Sequence, residues 1–248
     1  METSPLLTVS CIRPGLWRWT APHPEWTPEK DRPGGWGRMV GSVYCEPPDG
    51  VGPVVLIDPL APPPDTPEAE RFWAALDRDL ARAGRPLLLV IGNGYHARGA
   101  AGFSRRYAER YGADLHVPAD AVTRLRLEAA RPYGGGGLPG TDLVAFPIEG
   151  MDGGETALYL RGHGALVFAD AVIGAGEGRL AVAPPSWAGD GEAAAALYRS
   201  RFRASLEPLL ELEADIVLPS HGEPVISGAG TALAAALAGP AWGESPAV

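Results

Sequence analysis

The segment Gly92-Asn93-Gly94-Tyr95-His96-Ala97-Arg98-Gly99 gathers several reactive residue types directly after the apolar run Leu87-Leu88-Leu89-Val90-Ile91. An imidazole at His96 can move a proton or ligate a metal, or simply hydrogen-bond the neighbouring backbone. Arg98 stands two positions later, near an expected helix start. There a guanidinium fork and free backbone N–H groups can hold a carboxylate or phosphate, and a surface arginine is the equal alternative. Two further candidates lie at the ends of later apolar runs. Asp170 follows Ala165-Leu166-Val167-Phe168, and His221 follows Ile216-Val217-Leu218 within Pro219-Ser220-His221-Gly222-Glu223. Glu223 can orient that histidine or act as a base, although a solvated glutamate beside a turn is the ordinary expectation. His116 and His163 have no partner at useful spacing and are assigned no chemistry.

The same glycine loop supports a rival reading. Gly92-x-Gly94-x-x-Ala97 after an apolar strand matches the alanine-ended dinucleotide fingerprint, with Asp114 beyond it as the acidic residue. In such a site the acid ends the second strand, whereas Asp114 begins the Leu115-His116-Val117 run. About ninety residues with strand character also precede the loop, where such domains commonly begin.

The elements that must position these residues are legible from periodicity. Met39–Cys45 and Pro53–Pro59, separated by Pro47-Pro48-Asp49-Gly50, read as a hairpin-like strand pair. Thr66 and Pro67 open a helix that carries Phe72, Leu76, Leu80 and Ala83 on one face and stops at Gly84. A second helix presents Phe103, Tyr107 and Tyr111 and closes at Gly112, before a strand at Asp114–Val117. Glycines 134–137 and Pro139-Gly140 mark a mobile loop. Strands follow at 143–146, 156–160 and 165–168, then a helix from Asp190 to Leu206 and a buried strand at 215–218. This order implies two sheets faced by helices. The Trp17–Trp26 stretch carries three tryptophans and a histidine, enough either to wall a pocket or to plug an open end of the sandwich.

Composition excludes several classes. The 248 residues are 46% hydrophobic, enough for a full core in one domain spanning 1–248, with a flexible tail over 240–248. A net charge of −9 disfavours nucleic acid and anionic membranes as partners and leaves a small molecule. Cys11 and Cys45 are too few for a disulfide framework and are expected as buried thiols. With no secretory start and no apolar run of about 20 residues, a cytoplasmic location is expected.

Taken in order, these strand-end motifs resemble the metallo-β-lactamase superfamily over about Val40 to Val225. "SVYCEPPDGVGPVVLIDPL" resembles its opening hairpin, "LLLVIGNGYHARGAAGF" the strand and His-x-His-x-Asp-His loop, and "PIEGMDGGETALYL" the segment of the third histidine. "ALVFADAV" and "IVLPSHGEPV" resemble the strands bearing the bridging aspartate and the last histidine. The resemblance implies an α/β fold, a four-layer αβ/βα sandwich of two mixed β-sheets flanked by helices. It also implies a hydrolase of small esters, thioesters or lactones, in which Asp58 supports the metal site from behind.

Laid on this pattern, the leading histidines fall at Gly92 and Gly94, the aspartate at His96, the next histidine at Ala97 and the third at Met151. Glycine offers no side chain and a thioether binds zinc poorly, so the usual two-metal centre is degenerate. What survives is His96, Asp170 and His221, a set adequate for one zinc or iron ion. An ion-free Asp170–His221 pair is the first expectation and the single ion the second. Arg98 joins His96, Asp170 and His221 as the catalytic candidates. The alternative to catalysis is a pseudoenzyme, a small-ligand-binding or interaction module on the same fold.

Overall fold

Seven strands pair in chain order to form the first sheet: β1 (Thr8–Arg13), β2 (Leu16–Pro22), β3 (Met39–Cys45), β4 (Val54–Ile57), β5 (Leu87–Val90), β6 (Asp114–Pro118) and β7 (Arg131–Tyr133). This computed structural model describes residues 5–125 and 130–244. Strands β1 to β4 are antiparallel neighbours, and β4 to β7 run parallel. Parallel neighbours need long crossovers, supplied between β4 and β5 by α1 (Pro67–Ala83) and between β5 and β6 by α2 (Ala100–Tyr111). Helix α1 begins and ends as its sequence requires. The Thr66 side chain accepts from Ala69 N–H, and Gly84 turns left-handed at φ 60°. The Trp17–Trp26 stretch is largely strand: β1 and β2 were not evident from periodicity.

The second sheet contains β8 (Gly136–Gly137), β9 (Leu143–Pro147), β10 (Thr156–Leu160) and β11 (Ala165–Phe168). Two outlying strands, β12 (Val172–Gly174) and β13 (Leu180–Val182), pair only with each other, and β14 (Ile216–Pro219) lies beside β11 in parallel. The expected mobile glycine loop is therefore partly ordered, since Gly136 and Gly137 pair with Ala145 and Val144.

After the short α3 (Val122–Leu125), the remaining helices follow β13. The single helix expected over 190–206 is α4 (Glu192–Leu197), a π-helical turn (Tyr198–Phe202) and α5 (Arg203–Leu206). Tyr198 and Phe202 are both buried and stacked, with ring centroids 4.6 Å apart. Helix α6 (Ala229–Ala238) completes this face.

Three apolar clusters fill the spaces between layers. Phe72, Leu80 and Phe103 seat α1 and α2 on the first sheet. Val43, Ile57 and Val90 meet Leu158, Val167 and Leu218 between the sheets. Phe202, Leu206 and Leu233 cover the second sheet. The architecture is the α/β sandwich expected, with helices outside both mixed sheets.

Two expectations need correction. Cys11 is exposed on edge strand β1, while Cys45 is buried. Residues 240–244 are docked: Trp242 N–H donates to Val182 O at 2.9 Å and its indole N–H to Gly35 O at 2.7 Å, whereas 245–248 lie outside the described residues.

Beyond β3, Glu46 joins the sheet to α1. Its carboxylate accepts from Tyr44 Oη at 2.7 Å and Arg85 Nη2 at 3.2 Å, and pairs closely with Arg82. Burial pushes this carboxyl up, but the bonds from Arg82 and Tyr44 outweigh burial and hold it below the ordinary glutamate value. A depressed carboxyl stabilises the fold above its unfolded value and loses that contribution as pH falls through the folded one. Urea-unfolding free energy should therefore fall from about pH 5 to about pH 3, and less steeply in Glu46→Gln. Equal slopes would refute the assignment.

Candidate functional site

Three parallel strand ends deliver the side chains. Strand β5 runs into Gly92, and Asn93 caps a 3-10 turn over Gly94–Gly99 by accepting from Tyr95 N–H at 2.9 Å. That turn carries His96 inward until it is only 3% exposed. Asp170 follows β11 and His221 follows β14 at matching heights, because Phe168 pairs with Pro219 in parallel register. Asp58 follows β4 at the same edge.

Asp170 is the meeting point. Its Oδ1 lies 3.0 Å from His96 Nε2 and 3.1 Å from His221 Nε2. Behind His96, Asp58 Oδ2 faces Nδ1 at 3.3 Å, an ion-pair distance without hydrogen-bond alignment. Asp58 Oδ1 accepts from Gly92 N–H at 2.8 Å. Its own backbone is left-handed, at φ 48°. A non-glycine residue there stores strain of order 1 kcal/mol or more, which the surrounding bonds must hold in place.

The two histidines share one carboxylate yet shift in opposite directions. Burial opposes charge on His96, but Asp170 and Asp58 outweigh it and raise the imidazole to about 9. For His221 burial wins over the single carboxylate, and its pKa falls. The second acid behind His96 explains the difference. Asp170 is opposed by burial, yet the two histidines hold its carboxyl far below the usual range.

Sequence reasoning missed Glu155, which is 1% exposed. Oε1 accepts from the Asp170 and Ala171 N–H groups, each at 3.0 Å, and Oε2 from Asn93 Nδ2 at 3.0 Å. Burial and the neighbouring Asp170 push its carboxyl up to about 8, against the three donors that favour its ionised form. The available signal was an acid directly before the buried Thr156–Leu160 run.

Above the three side chains opens a cavity of about 420 Å³, bordered by His23, Trp36, Tyr95, Arg98, Asp152 and Trp187. Trp36 and Trp187 flank His221 with centroids 5.7 and 5.4 Å from its ring. Trp19 instead packs in the core against Phe72, and Trp17 lies part-exposed on β2. Arg98 donates from Nη1 to Tyr95 O at 3.0 Å, while Nε and Nη2 are buried with no hydrogen-bond partner among the described residues. The fork edge expected to meet an anion is thus sealed from solvent. Glu223 is exposed and does not border the cavity.

The residues at the family's nitrogen-ligand positions have other surroundings. A Cβ at Gly92 would lie 3.2 Å from Asp58 Oδ2 and 3.3 Å from Ala169 Cβ, so a histidine there would be crowded. Met151 packs toward the apolar cluster under the second sheet. The dinucleotide reading fails on register, because Asp114 pairs with Leu88 at the start of β5, away from Gly92, and is bound to Arg131 at 3.1 Å.

His96, Asp170 and His221 fit one metal ion. Their donor atoms all lie within 4.8 Å of one another. Two edges of 3.0 and 3.1 Å compare with about 3.3 Å between ligands in a tetrahedron of ~2.0 Å zinc bonds. Without an ion, the same contacts require protons on both Nε2 atoms.

No protein-family model matches the chain, and no curated protein matches it in sequence. Solved structures do match in shape. A metallo-beta-lactamase from Pontibacter korlensis is 16% identical with a TM-score of 0.59, over 94% of this chain and 97% of that one. A beta-lactamase domain protein from Burkholderia ambifaria is 16% identical with a TM-score of 0.61, over 93% of this chain and 72% of that one. The metallo-beta-lactamase FIM-1 from Pseudomonas aeruginosa, solved in a mono-zinc form, is 15% identical with a TM-score of 0.57, over 94% and 95%.

Proposed function

Because the chain carries the metallo-β-lactamase fold, we propose that it is a hydrolase of small esters, thioesters or lactones working with one zinc or iron ion on His96, Asp170 and His221. The observation that carries this reading is the convergence of those three donor atoms at the base of a cavity large enough for a small substrate. When bound, such an ion supplies Lewis acidity and an acidified water, with a pKa near 7.

The chain's own residues provide the rest. Asp58 places a carboxylate 3.3 Å from His96 Nδ1, and Nε2 is directed at Asp170. Trp36 and Trp187 cover His221 and limit water around it. Arg98 places a fixed positive charge beside Asp58 and Asp170, with Nη1 held at the Tyr95 carbonyl.

The first test is to purify the chain without a histidine tag, equilibrate it with zinc or iron, measure metal per chain by mass spectrometry and assay a panel of aryl esters, thioesters and lactones. Close to one equivalent, with chelator-sensitive saturable hydrolysis, is expected. No retained ion with either metal would sink the metal-dependent reading. A second reading, a non-catalytic ligand-binding module, is favoured by the direct Asp170 contacts to both histidines. No retained ion and no turnover of any panel member would support it.

A further inference from the structure

The loop that presents His96 and the turn before β10 are joined across the gap where the resemblance places its nitrogen ligands. Gly94 N–H donates to Gly153 O at 2.8 Å, Asn93 Nδ2 to Asp152 O at 2.9 Å, and Thr156 N–H to Gly92 O at 2.8 Å. His96 N–H in turn donates to Asn93 O at 2.8 Å, so the position of Asn93 sets that of His96. One side chain then connects this assembly to the third strand end. The Glu155 carboxylate receives Asn93 Nδ2 on one oxygen and the backbone N–H groups of Asp170 and Ala171 on the other.

We propose that Glu155 is a positioning residue that fixes Asp170 relative to His96, a hydrogen-bonded tie doing between protein segments what an ion does between ligands. The tie is stiff for physical reasons. All three donors meet the oxygens of one buried carboxyl group at 3.0 Å, where the low local dielectric strengthens each bond and no water competes for the acceptor. Two of the donors are main-chain groups, so rotation of the Asp170 backbone would break both together. Glu155 is not among the residues that border the cavity above His96, Asp170 and His221, and it acts on them through Asp170 and Asn93.

The inference rests on the proposed site as a location but not on metal binding. Its experiment therefore reads the histidines directly. In the tag-free full chain treated with chelator, the ¹H–¹⁵N imidazole spectra of His96 and His221 are compared among the wild type, Glu155→Gln and Asp170→Asn. Glu155→Gln keeps the volume and one acceptor oxygen but turns an N–H₂ group toward one of the existing donors. It should remain folded by circular dichroism and move both imidazole signals toward those of Asp170→Asn, while His163 stays unchanged. Zinc affinity, where the wild type binds zinc, should fall about 10-fold to 100-fold.

Unchanged His96 and His221 signals in a folded Glu155→Gln chain would overturn the proposal. A uniform shift that includes His163 would also overturn it, because that would mark a general loss of structure. If the wild type binds no ion while the selective shifts appear, the metal-dependent reading fails and the positioning role stands. Glu155→Asp, one methylene shorter, offers a check independent of charge, and it should reproduce the Glu155→Gln shifts.

Discussion

Asp170→Asn is expected to lower zinc affinity by at least about 100-fold, or roughly 2.8 kcal/mol at 1.4 kcal/mol per tenfold. The size follows from geometry. One oxygen, Oδ1, lies within 3.1 Å of both imidazole Nε2 atoms, so both contacts depend on the same acceptor. Asparagine keeps the shape, removes the charge and can turn an N–H₂ group toward the nitrogens. The same change also leaves the raised His96 with Asp58 alone. Breaking one partner of a buried charged set typically costs about 3–5 kcal/mol. Zinc titration calorimetry and urea unfolding should therefore both report a loss. A variant that keeps one equivalent at wild-type affinity would show that the ion, if any, lies elsewhere.

Gly222→Ala is the second large effect, and it touches no reactive group. Gly222 follows His221 at φ 78°, and a Cβ there would stand 2.0 Å from Gly174 O. The contact is reciprocal, since a Cβ at Gly174 would stand 2.0 Å from Glu223 O. Gly174 N–H also donates to His221 O at 2.9 Å, so the two backbones cannot part without releasing the histidine. Left-handed strain of about 1–3 kcal/mol combines with a backbone clash, and a total loss of roughly 3 kcal/mol or more is expected. Gly228→Ala, also left-handed but with open space around it, should lose only about 1 kcal/mol. Thermal unfolding of the two variants separates these cases, and equal losses would contradict the close approach.

The sequence exposed those parts of the fold that local rules govern. Helix α1 was readable from Thr66 to Gly84 because its cap, its apolar spacing and its stop are all local signals. The Leu87–Val90 strand was readable because burial on both faces leaves an unbroken apolar run. Strand β2 was hidden because Arg18, a charged residue, is buried there, and its Nη2 donates to the Pro219 and Gly222 carbonyls from the far end of the chain. The sequence singled out His96, Asp170 and His221, and the structure brings their side chains together. Their supports were not, since nothing near Glu155 in sequence reveals that Asp170 and Asn93 will converge on it. Arg98, expected near a helix start, borders the cavity, and its orientation depends on tertiary packing that no local motif encodes.

The bonds from Arg18 to the His221 turn span 201 and 204 residues. Topologies dominated by such distant pairings fold slowly, because chain closure must be completed before those contacts can contribute. The site is therefore expected to form late in folding. A chain emerging from the ribosome holds β1 to β13 before the His221 turn exists, with the Arg18 guanidinium and the Asp170 carboxylate still lacking their final partners. Competence at this centre is thus coupled to completion of the polypeptide, and a chain truncated before β14 would lack the centre even where its first sheet had formed.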